Sequence, residues 1–258
     1  MQGKAGHGSA RWLVKGRRGG FMGGLVLAAM VFCGHNTLQA QEVMQADALS
    51  GIQPAVMIFQ GKHAAARMAM DDSPLAPCAP LYASQHFPEA FACLKPYADQ
   101  GNAEAQFGLG AMYYYGEGVS QDFGQAFSWT QKAAEQGLAE AQYNLGILYY
   151  SGQGVARDDT KAVYWYQKAA DQGFAEAQNN LGLMYMNGFG VSQDPAKANE
   201  WFRKAAEQGN DVAQYNLGVN YALGRGVPQD INQAVYWLQK SADQGNMNAI
   251  IVLRQLGY

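Results

Sequence analysis

Beyond its first forty residues the chain offers few groups able to relay a proton, attack an electrophile or bind a soft metal: His63, His86, Cys78 and Cys93. His63 stands among Met44, Met57, Met68 and Met70, donors that a soft metal could use, but scattered methionines in an arm of weak periodicity explain them without a metal. No His-Glu-x-x-His, Gly-x-Ser-x-Gly, Walker or Ser-x-x-Lys pattern occurs. Gly-x-Gly does occur, but it recurs at a fixed interval, as turns do and as a single cofactor loop would not. These residues predict no catalytic site and no cofactor.

The elements that must position any site are set by a ruler: Trp129, Trp165, Trp201 and Trp237 stand 36 residues apart. Units 102–137, 138–173, 174–209 and 210–245 repeat Ala105, Ala141, Ala177 and Ala213 with Leu109, Leu145, Leu181 and Leu217. A small residue four before a large one makes a packing seam along one helical face. Gly116 and Gly118, with their equivalents at 152/154, 188/190 and 224/226, end the first helix, because glycine accepts the left-handed backbone of a helix stop. Asp122, Asp158, Asp194 and Asp230 start the second helix by accepting its unpaired backbone N–H groups, and Pro195 suits the first helical position. Asp122 with Gln125, and Asp230 with Gln233, have capping-box spacing. The second helix carries Ala126, Trp129 and Ala133 on its inner side and closes at pairs such as Gln136-Gly137. A fixed period of this size means helix pairs stacked around one continuous core.

The string A-E-A-Q-x-N-L-G-x-x-Y-x-x-G-x-G-V-x-x-D-x-x-K-A-x-x-W-x-x-K-A-A-x-Q-G resembles the Sel1-like repeat, a relative of the tetratricopeptide repeat, over residues 102–245. The resemblance implies an all-α, right-handed α/α superhelical solenoid of 36-residue helix-turn-helix Sel1-like repeats, whose first helices line a concave face. It also implies a non-enzymatic interaction scaffold or adaptor. Some cysteine-rich relatives are linked to penicillin binding or weak β-lactamase activity, but they carry paired cysteines throughout the array. Here the pair falls in the first unit alone. A structural role in an envelope assembly is the other alternative.

Residues 75–101 read as a degenerate first repeat, and 36 residues before Trp129 stands Cys93. A turn near His86-Phe87 would set Cys78 and Cys93 opposite each other across an antiparallel helix pair, predicting a disulfide; two buried free thiols are the alternative. Residues 246–258 form a C-terminal capping helix, keeping Ala249 and Leu253 in phase but placing Arg254 where Gly110, Gly146, Gly182 and Gly218 stand. Residues 1–40 combine Lys4, Arg11, Lys15, Arg17 and Arg18 with the apolar run FMGGLVLAAMVFCG and a small residue at Ala40. That order reads as a signal peptide cut after Ala40, an uncleaved anchor being the alternative, and predicts a periplasmic or secreted protein. Residues 41–74 read as a flexible segment with a short helix near His63 to Met70.

Of 18 basic and 21 acidic residues, five basic and no acidic ones lie in 1–40, so the remainder carries about −8. An acidic solenoid without a basic stripe excludes nucleic acid as a natural partner and gives no stable membrane insertion after signal cleavage. A protein or peptide is expected, with cell-wall glycan as second choice. Opposite the Ala/Leu seam, the first helices present Phe107 and Tyr114, then Tyr143, Ile147 and Tyr150, then Leu183 and Met186, then Tyr215 and Val219. Asn144, Asn180 and Asn216 recur beside them, and side-chain amides can bond both polar groups of an extended peptide. These residues form the candidate concave surface, packing between adjacent helices being the competing role for the asparagines.

Overall fold

The computed structural model describes residues 73–258 as eleven helices, with no strand among the described residues. The signal peptide expected at 1–40, residues 41–72 of the segment expected to be flexible, with His63 and the four methionines, and the helix expected near His63 to Met70 lie outside the described residues. The helices run α1 Ala79–Ala83, α2 Phe87–Asp99, α3 Ala103–Tyr115, α4 Phe123–Glu135, α5 Ala139–Ser151 and α6 Asp159–Asp171. They continue with α7 Ala175–Asn187, α8 Pro195–Glu207, α9 Asp211–Leu223, α10 Ile231–Asp243 and α11 Met247–Leu256. Each packs on the one before and the one after, so the chain is an α/α solenoid.

The helix boundaries follow from local chemistry. Gly116, Gly152, Gly188 and Gly224 close α3, α5, α7 and α9 at φ between 68° and 74°. Asp122 Oδ1 accepts the N–H of Gln125 at 3.0 Å, and Asp158, Asp194 and Asp230 repeat the bond. The capping box expected from Gln125 and Gln233 is not completed. The N–H of each cap residue instead donates to a carbonyl of the preceding helix, Asp122 to Tyr113 and Asp230 to Tyr221, leaving the glutamine nothing to accept from.

The seam residues Ala105, Leu109 and their equivalents are fully buried. Trp129, Trp201 and Trp237 are buried and Trp165 half-buried, but the residue after each lies deeper: Thr130, Tyr166, Phe202 and Leu238. Each presses on a first-helix glycine. A Cβ at Gly146 would lie 2.6 Å from the Tyr166 ring, and one at Gly182 would lie 2.6 Å from that of Phe202. Beside this contact, Lys132 Nζ lies 4.0 Å over the Trp129 ring and Lys204 Nζ lies 3.8 Å over the Trp201 ring.

A second device, unmarked in the sequence, ties each unit to the last. Buried Gln106 donates from Nε2 to the Ala98 carbonyl in the final turn of α2, while its Oε1 accepts from Gln136 at 2.8 Å. The pattern returns at Gln142, Gln178 and Gln214, answered by Gln172, Gln208 and Gln244. Each buried amide thus adds a second hydrogen bond to a helix-end carbonyl that already accepts the N–H of the glycine three residues on, as Ala98 does from Gly101.

In the degenerate unit, Pro74, Pro77 and Pro80 shorten the first helix to α1, and the Sγ atoms of Cys78 and Cys93 are bonded at 1.99 Å with Cα atoms 5.6 Å apart. Protein lacking residues 1–40, denatured without reductant, should therefore show no free thiol. Reduction should cost about 3 kcal/mol for a loop of this size and act on the first unit. Two reactive thiols in the unreduced protein would rule the bridge out.

Candidate interaction face

Successive first helices touch through side chains 37 residues apart. Asn180 Nδ2 donates to the Tyr143 hydroxyl at 3.5 Å, and Asn216 Nδ2 donates to Asn179 Oδ1 at 3.0 Å. This register decides which of the expected surface residues a partner can reach. Phe107, Tyr143, Ile147, Leu183, Tyr215 and Val219 are buried between neighbouring helices, showing only their edges. Asn180, Asn216, Tyr114, Tyr150 and Met186 are half-buried, the last three repeating at the 36-residue step along the outer end of the face.

Asn144 departs from its expected role. It is fully enclosed, and neither amide atom has a hydrogen-bond partner. The physical reason is the residue 37 positions earlier: where Asn180 meets Tyr143 and Asn216 meets Asn179, Asn144 falls at the place of Phe107, whose ring accepts no ordinary hydrogen bond. Reading one helix at a time placed it on a surface that the next helix closes.

The polar groups on this face are donors and acceptors rather than charges. Burial pushes the Tyr143 and Tyr166 hydroxyls well above their usual range, so both are neutral in ordinary buffers. Tyr114 donates to Gln153 Oε1 at 3.1 Å, and the Tyr150 ring packs on Phe189 with centroids 6.4 Å apart. Both partners occupy the middle of a Gly-x-Gly turn, the place filled by Arg225 in the last full unit. Sequence reading passed over that turn residue, although its variation from Glu117 to Gln153, Phe189 and Arg225 inside an otherwise regular turn was visible.

No group of three or more His, Cys, Asp or Glu side chains among the described residues is placed to hold a metal ion. Nor is any described helix long and apolar enough to cross a membrane.

Stacked helix pairs of fixed length, joined in register by turns of one form, define a helical-repeat solenoid. The family model for the Sel1 repeat matches four consecutive segments, 103–138, 139–174, 175–210 and 211–246. The chain belongs to the Sel1 repeat family. It is similar to a Sel1 repeat protein from Oxalobacter formigenes, with 39% identity over 77% of this chain and 59% of that one, at a TM-score of 0.65. It is also similar to c5321, a protective antigen of uropathogenic Escherichia coli, with 31% identity over 81% of this chain and 49% of that one, at a TM-score of 0.61. The chain thus spans 59% and 49% of the lengths of these two relatives. Comparison with curated protein sequences gave no match. Sel1 repeat proteins are generally protein-interaction scaffolds, and the family is generally non-catalytic.

Proposed function

We propose that the protein is an exported, non-enzymatic scaffold that holds a peptide or protein segment in the concave groove lined by α3, α5, α7 and α9. The observation that carries this reading is the row Tyr114, Tyr150 and Met186, half-open at one repeat step, with the Asn180 and Asn216 amides beside it. Aromatic and methionine anchors with interspersed amides suit an extended chain and impose no strong charge selection. Export rests on the basic, then apolar, then small-residue order of residues 1–40.

The test is site-directed photo-crosslinking in cells from which the periplasmic fraction is recovered. A photoreactive residue at Tyr150 or Met186 should capture one and the same partner, whereas one at Tyr164 or Tyr236, exposed on the second-helix layer, should not. Capture from Tyr164 and Tyr236 alone would overturn the groove and favour a structural role in an assembly.

A further inference from the structure

The two layers of the solenoid differ in charge. The first helices α3, α5, α7 and α9 carry Glu104, Glu140, Glu176 and Asp211 and no lysine or arginine, whereas every described lysine and arginine stands on a second helix, in a turn or on α11. Glu104, Glu140 and Glu176 recur at the 36-residue step and are half-buried. Glu140 and Glu176 stand one helical turn before Asn144 and Asn180, on the face that carries the asparagine row. Glu176 lies close enough to the Tyr143 hydroxyl, one first helix back, to add to the burial that pushes that hydroxyl up. No described lysine or arginine pairs with Glu104 or Glu176. The helix dipole accounts for an acid in a first turn, but not for the exclusion of cations from a whole layer. The face therefore has a carboxylate row where its helices start and the Tyr114, Tyr150 and Met186 row where they end, roughly 15 Å apart along each helix.

The complement to this face stands in the chain's own sequence, outside the described residues. Residues 48–70 contain Lys62 and Arg67 and no Asp or Glu, although the chain beyond residue 40 carries about −8. The same stretch holds the apolar run Ala55-Val56-Met57-Ile58-Phe59, and then Met68 and Met70. It joins the array just before α1, at the first end of the groove. From Asp72 back to Lys62 the chain spans up to roughly 33 Å when extended, and roughly 20 Å with the helix expected near His63 to Met70. First helices packed about 10 Å apart put Glu104 and Glu140 inside either reach. The apolar run beyond Lys62 then reaches α7 and Met186.

We propose that residues 48–70 bind the concave face of their own solenoid, with Arg67 and Lys62 against the glutamate row and the apolar run crossing to Tyr150 and Met186. The groove is then closed in cis, and a partner enters by displacing this segment, which favours a partner with cations beside an apolar run. This inference rests on the concave-face reading and adds the first occupant of the groove and the charge a competitor must carry. The anchors Tyr114, Tyr150 and Met186 are indifferent to charge; the selection comes from the opposite edge. A tether of this length holds its own segment at an effective concentration on the order of millimolar, so weak intrinsic binding is enough to keep the groove filled.

The experiment uses the protein lacking residues 1–40 with a photoreactive residue at Tyr150 or Met186, irradiated at low concentration as an equal mixture of isotope-labelled and unlabelled chains. Peptide mass spectrometry should find crosslinks to residues 48–70, each within one isotopic form. Crosslinks joining the two forms would assign the groove to a second copy, and no crosslink to 48–70 would leave the segment outside it; either result overturns the inference. Lys62→Glu with Arg67→Glu leaves the solenoid untouched, so helicity should stay the same while the yield of these crosslinks falls by at least about half. That variant should also bind a free peptide of residues 48–70 about fivefold more tightly than the unaltered protein, because its groove is vacated. Glu140→Gln with Glu176→Gln in the same background should weaken peptide binding, as should added salt. Unchanged crosslinks in the Lys62→Glu, Arg67→Glu variant, or equal peptide affinity in the two proteins, overturns the inference. Capture of a cellular partner from Tyr150 and Met186 is a separate result: if it holds while the crosslinks to 48–70 fail, the cis segment falls and the concave-face reading stands.

Discussion

Gly154→Ala is expected to destabilise the protein by about 2–5 kcal/mol, while Gly137→Ala, also at positive φ, costs only about 1–2 kcal/mol. Both glycines lie in the region that favours glycine, at φ 71° and 95°. They differ in what surrounds them. A Cβ on Gly154 would overlap the backbone carbonyl of Phe123 in the first turn of α4, whereas one on Gly137 meets nothing within 4 Å. Gly154 is therefore where one unit's turn lies directly on the preceding unit's second helix, and Gly118, Gly190 and Gly226 repeat that contact against Phe87, Asp159 and Pro195. Because a solenoid is held by nearest-neighbour interfaces, the damage should fall on the junction between the first two full units, broadening the thermal transition as well as lowering it. Scanning calorimetry of both variants checks this, with a fall on the order of 10 °C for Gly154→Ala. If the two variants lose the same amount, the close approach is not what the second glycine is for.

What could be read from the sequence was what is decided within one turn of the chain. Gly116 and Asp122 fix helix ends by backbone conformation and a single side-chain bond, and each lies where the spacing put it. Gln106 could not be read as a buried tie, because glutamine is an ordinary helix residue until the Ala98 carbonyl of the preceding helix is placed beside it. Trp129 drew attention by size, yet Thr130 beside it is the more deeply buried. The candidate face suffered most from this limit. Its periodicity was plain, but whether Asn144 or Asn180 reaches a ligand depends on the residue 37 positions earlier, which a single helix does not reveal.

The contact between Gly146 and Tyr166 should reverse the sign of a single substitution. With Tyr166 present, a Cβ at Gly146 lies 2.6 Å from ring carbons Cδ1 and Cε1, and the ring is fully buried, so it has little room to withdraw. Gly146→Ala should then destabilise by about 1–3 kcal/mol, even though alanine is the better helix former. Tyr166→Ala alone should cost about 3–5 kcal/mol through the cavity it opens and the loss of the ring's packing on Tyr143. In that background Gly146→Ala meets no ring, fills part of the space and gains the helix propensity of alanine, so it should stabilise by up to about 1 kcal/mol. Urea denaturation of the four proteins closes the cycle, with an expected coupling of about 2–3 kcal/mol. Additive losses would mean that glycine stands in the first helix for some reason other than this ring. The same exchange at Gly182 and Phe202, where the ring again lies 2.6 Å from the built Cβ, should give the same sign. At Gly110 the opposing group is the Thr130 hydroxyl, a smaller obstacle that can rotate aside, so the coupling there should be weaker. The order of these couplings, aromatic before hydroxyl, follows from the side chain after each tryptophan and is what sets how closely the two helices of a unit approach.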